Sequence, residues 1–107
     1  MAKYLAKAKY TAPQGIQGLV KGGGSARVKA VTELIESLGG KVESFYFAFG
    51  DVDAYVTVDL PDTASGAAAS LTVGASGGAT VEIVPLITPA ELDEAAKKSP
   101  AYRAPGQ

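Results

Sequence analysis

Residues 45–62 read FYFAFGDVDAYVTVDLPD, and their alternation decides the fold. Gly50-Asp51 is a glycine-first pair between two strand-like runs, the pattern of a tight antiparallel hairpin. Pairing across that turn sets Phe49 opposite Val52, Phe47 opposite Ala54 and Phe45 opposite Val56 on one face. The other face receives Ser44, Tyr46 and Ala48 beside Asp53, Tyr55 and Thr57. One side is therefore a hydrophobic wall. The other is a half-polar surface with two tyrosines and a carboxylate, where a functional site is expected.

Upstream, Tyr4, Ala6, Ala8 and Tyr10 alternate with Leu5, Lys7 and Lys9, which predicts a first strand over 4–10. Pro13 suits the first turn of a helix, and Gly22-Gly23-Gly24 interrupts that helix before Ser25, a residue suited to capping a second one. Val28, Val31, Leu34, Ile35 and Leu38 follow at helical spacing until Gly39-Gly40. The hairpin strands are expected over 41–49 and 52–60. Asp62 then caps a helix over 63–75 whose small residues (Ala64, Gly66, Ala67, Ala68, Ala69, Ser70, Gly74) permit close approach to a sheet or another subunit. A strand over 80–87 sets Val81, Ile83 and Pro85 against Thr80, Glu82, Val84 and Leu86. Thr88-Pro89-Ala90-Glu91 matches a capping box with proline at the first helical position, so a short helix to about residue 98 precedes an extended tail over 99–107.

The order strand, helix, strand, strand, helix, strand predicts an α+β, ferredoxin-like βαββαβ subunit with an antiparallel sheet, plus a C-terminal helix. All 107 residues are expected to form one domain, since 47% hydrophobic content suffices for a core. The first strand should lie between the third and fourth, bringing Lys7 and Lys9 near Asp53, Tyr55 and Glu82.

Ten basic and eleven acidic residues give a net charge of -1, which argues against nucleic acid as a partner. Cysteine and histidine are both absent. Disulfides, thiol nucleophiles and the commonest metal ligands are thereby excluded, and neither a metal nor another cofactor is expected. No run approaches the roughly 20 apolar residues needed to span a bilayer, and no secretion signal precedes the first strand. A soluble cytoplasmic protein without membrane association is the expectation.

Helices on one side of the sheet leave its other face open, and Leu5, Tyr46, Tyr55, Val84 and Leu86 make that face too apolar for full solvation. Packing two such sheets together closes a barrel-like interior, so a homodimer, or a higher oligomer built from dimers, is expected. The face then yields the first candidate site: Lys7, Lys9, Tyr46, Asp53, Tyr55 and Glu82 as the lining of a small-molecule pocket between sheets. The alternative is an ion-paired tyrosine layer in a purely structural interface. Catalysis has weaker support than binding. Asp53, Tyr55 and Lys7 are the residues that would carry acid-base chemistry. At the glycine joint a simple flexible hinge is favoured, and the competing reading is an anion site held by Ser25 and Arg27. Tyr102 and Arg103 in the tail are partner-docking candidates, although a frayed end explains them equally.

The hairpin, together with Gly23-Gly24-Ser25-Ala26-Arg27, Ser37-Leu38-Gly39-Gly40 and Glu94-Ala95-Ala96-Lys97-Lys98-Ser99, resembles the GYD-domain family of small bacterial and archaeal proteins over nearly the whole chain. That family is grouped with the dimeric α+β barrel proteins, so the resemblance implies a ferredoxin-like subunit and sheet-to-sheet dimerisation. The family pattern falls on Gly50-Asp51-Val52-Asp53, with valine where a tyrosine is common. A role resting on that ring does not carry over. Several dimeric α+β barrels are cofactor-independent oxygenases or isomerases, which the resemblance offers as an alternative to non-catalytic binding or assembly.

Overall fold

The computed structural model describes residues 1–107. Its elements are β1 (Ala2–Tyr10), α1 (Gln14–Gly22), α2 (Gly24–Ser37), β2 (Lys41–Phe47), β3 (Ala54–Leu60), α3 (Thr63–Ala75), β4 (Ala79–Leu86) and α4 (Pro89–Ala96). The four strands form one sheet in the order β2-β3-β1-β4, with every neighbouring pair antiparallel. This is the ferredoxin-like α+β arrangement that the sequence predicts, with β1 between β3 and β4.

The alternation in β1 performs as expected. Tyr4 and Tyr10 are buried under the helices; Val56, Val58 and Leu60 of β3 join Tyr4 with Ile35 of α2 and Ala69 of α3, while Tyr10 packs with Ala54 and Ala79. Small residues let α3 approach: Gly66 and Ala69 are its buried positions, and a β-carbon on Gly66 would stand 3.4 Å from Ile83. Asp62 caps α3 by accepting the Ser65 N–H at 2.8 Å. The Ser65 hydroxyl, and then that N–H, hold the Asp62 carboxyl below its usual range.

The helical region breaks at the glycine joint. Gly23 adopts φ 82°, a left-handed conformation open to glycine without steric cost. It ends α1 by donating to the Leu19 carbonyl and serves as the N-cap position of α2. Ser25 therefore lies inside the first turn of α2 and caps nothing, a correction to the sequence reading.

The hairpin connection also differs. Phe45↔Val56 and Phe47↔Ala54 pair as expected, but β2 ends at Phe47 and β3 begins at Ala54. A loop over 48–53 replaces the two-residue turn, and Phe49, expected on the hydrophobic wall opposite Val52, is fully exposed. The reason is tertiary. The Asp53 N–H donates to Ala8 O and the Tyr10 N–H donates to Asp53 Oδ2, both at 2.9 Å. Those bonds fasten residue 53 to the end of β1, and the Ala48 N–H closes the loop onto Asp53 O. A register shift between Val42 and Ser44 leaves Glu43 as an extra residue in β2.

No helix is long and apolar enough to cross a membrane. The C-terminal end stands apart. Thr88 and Glu91 form the capping box, yet α4 makes no substantial contact with another element, and residues 87–107 are all exposed. The radius of gyration is 16.8 Å, against about 13 Å for a compact domain of this length.

Candidate functional site

Two surfaces carry chemistry: the open face of the sheet and the interior between sheet and helices. On the open face the registers Lys7↔Tyr55 and Lys7↔Glu82 put Lys7 between a tyrosine and a carboxylate. Its Nζ lies 4.0 Å from Glu82 Oε2. Tyr46 pairs with Tyr55, and beside them Ser44 and Thr57 are hydrogen-bonded through their hydroxyls. Leu5, central on this face, stands between Thr57 and Val84.

Lys7, Tyr46, Tyr55 and Glu82 are thus brought together as one patch. Lys9 is exposed and opposite Thr80, at the rim. Asp53 is drawn away from the patch, because its carboxylate accepts the Tyr10 N–H at the end of β1. Asp53, Tyr55 and Lys7 therefore do not converge as a trio.

At the opposite end of this face lies a charge cluster that the sequence reading did not single out. Lys3 Nζ bonds the Glu43 carboxylate and, at 3.2 Å, that of Asp59. Hydrogen bonding to Glu43 and then Asp59 raises the Lys3 pKa above its ordinary value. The Lys3↔Asp59 half follows from strand register. Glu43 joins only because the register shift sets it beside that pair, which no local pattern announces.

The glycine joint separates its two candidate residues. Ser25 is exposed, whereas Arg27 is partly buried and turns inward. It lines a cavity of about 50 Å³ between sheet and helices, in which fifteen of sixteen lining residues are apolar. Its Nε is buried without a hydrogen-bond partner. Burial raises the Tyr10 pKa above its usual value; the charge of the Arg27 guanidinium opposes that rise and the charge of Asp53 adds to it. Periodicity held the signal for this placement: Arg27 precedes Val31 by four residues and Leu34 by seven, which sets it on the buried stripe of α2. Tyr102 and Arg103 lie in the exposed tail, far along the chain from either surface.

No group of three or more acidic side chains is placed to hold a metal ion. The family model described as GYD domain matches residues 4–96 of the chain. No curated protein and no solved structure gives a match.

Proposed function

The chain belongs to the GYD-domain family, and from its open sheet face we propose that it works as a self-associating protein whose copies pair sheet to sheet. The observation that carries this reading is the uncovered outer face. Leu5, Val84 and Leu86 are only half-buried there, and Tyr46 and Tyr55 are 70% and 39% exposed. A neighbouring sheet would remove this band from water. Apart from Lys9 at the rim, the central charges on the face are matched within one protomer: Lys7 with Glu82, and Lys3 with Glu43 and Asp59. Pairing therefore encloses few uncompensated charges, the condition under which burying ions is tolerable. Lys7, Tyr46, Tyr55 and Glu82 become the layer between subunits, the lining that a small molecule held there would meet. We assign no reaction to this layer, since Asp53 is engaged elsewhere.

Area brings in the C-terminal arm. Four strands about 4.8 Å apart and about eight residues long give a flat footprint of roughly 500 Å², whereas a standard interface takes about 800 Å² per partner. The projecting arm, with Ile87, Leu92 and Tyr102 exposed, supplies the remainder by closing over the second copy. Tyr102 and Arg103 are its anchors.

Sedimentation equilibrium on the full chain and on a chain ending at Ile87 tests this. The truncated protein should keep its thermal unfolding midpoint when both are compared as monomers, because α4 makes no substantial contact with the rest of the protomer. Its dimer dissociation constant should rise on the order of tenfold or more. Equal constants would remove the arm from the interface and leave the sheet pairing to stand alone.

A further inference from the structure

The 50 Å³ cavity between sheet and helices adjoins a larger one of about 400 Å³ among α1, α2 and α3. Tyr10, Arg27, Leu34, Val73 and Ala79 line both. The outer cavity adds polar walls, including Gln14, Thr72 and Ser76. The pair therefore has an apolar inner end, a neck carrying one guanidinium and one phenol, and a polar vestibule.

Arg27 is the unusual component. Arg27 is only partly buried, with its charged end at the polar vestibule, but it takes part in none of the protomer's ion pairs. Its buried Nε–H has no acceptor. Asp53, at the same end of the sheet, spends its carboxylate on the Tyr10 N–H. What is missing at the neck is an anionic acceptor with planar geometry, which a guanidinium fork binds through two parallel hydrogen bonds. The cavity beyond accepts only apolar groups.

We propose that this interior binds a short-chain monocarboxylate, the carboxylate on Arg27 and the Tyr10 hydroxyl and an apolar end of about two carbons in the 50 Å³ inner cavity. With the Asp53 carboxylate also acting on Tyr10, Arg27 and the Tyr10 hydroxyl match at most a single negative charge, and nothing at the neck offers the additional cations that would favour a phosphate group. The site lies on the opposite side of the sheet from the self-association surface and does not depend on it.

Propanoate and its uncharged counterpart 1-propanol, titrated into ¹⁵N-labelled full chain, are the probes. Propanoate should give saturable amide shifts at Gly18, Thr72 and Ala79, leaving Tyr46 and Val84 unmoved, and should bind at least about tenfold more tightly than 1-propanol. Arg27→Met keeps the stem's volume and removes the charge. It should abolish that preference, whereas Arg27→Lys should retain part of it. Equal binding of propanoate and 1-propanol, no saturation with propanoate, or an unchanged preference in Arg27→Met would overturn the proposal and leave Arg27 as a stem that covers apolar surface. Shifts confined to Tyr46 and Val84 would also overturn it, by moving the ligand to the sheet-pairing layer. Should Arg27→Met fail to fold, the propanoate–propanol comparison on the unmodified chain decides alone.

Discussion

Leu5→Glu is expected to convert the protein to a monomer while leaving the protomer folded. Leu5 lies in a central strand, on the open face, flanked by Thr57 and Val84. In a free protomer a glutamate there keeps its carboxylate in water. Between paired sheets the same carboxylate is buried without a designated partner, which costs several kcal/mol. Twofold pairing places one such charge on each side of the interface, so the dissociation constant should rise by about a thousandfold or more. Sedimentation equilibrium measures that change, and the far-ultraviolet circular dichroism spectrum should stay that of the unmodified chain. A dimer of unchanged stability would show that Leu5 faces solvent in the assembly.

The second large effect concerns stability. Leu60 is fully buried, at 0% exposure, and belongs to the cluster that joins Tyr4, Ile35, Val56, Val58 and Ala69. Leu60→Ala should reduce the unfolding free energy by about 2–5 kcal/mol. Because Leu60 also lines the existing 50 Å³ cavity, the deletion enlarges an unfilled space, which favours the upper part of that range. Domains of this kind commonly have about 5–15 kcal/mol in total, so the loss is a large fraction of the whole. Urea titrations at one fixed protein concentration read the difference, the concentration being fixed because dimerisation adds to apparent stability. A loss below about 1 kcal/mol would place Leu60 outside the packed core.

The elements that the sequence disclosed share one property: their signal is local. Tyr4, Ala6, Ala8 and Tyr10 alternate, so the buried face of the first strand could be read directly. The pairs Phe45↔Val56 and Phe47↔Ala54 followed from alternation in the two hairpin strands. Asp62 and the Thr88–Glu91 box announced their helices by side-chain chemistry alone.

What the sequence concealed depends on partners distant along the chain. Gly50-Asp51 has the composition of a two-residue turn, but Asp53 is held by Ala8 and Tyr10, forty-odd residues away, and the loop opens to reach them. The same bonds remove Asp53 from the tyrosine patch. Glu43 reaches Lys3 through a register shift in the second strand that no alternation rule predicts. Arg27 was half legible. Its spacing placed it on the buried stripe, while its charge and the adjacent glycines suggested a solvent-facing anion site.

The sheet-pairing reading meets its most direct test in sedimentation velocity of the unmodified chain over a range of concentrations. Species at even multiples of the 10.8 kDa protomer are predicted, with the smallest being the dimer. A single species of protomer mass at every concentration would contradict it, because the open tyrosine and aliphatic face would then be a solvated surface.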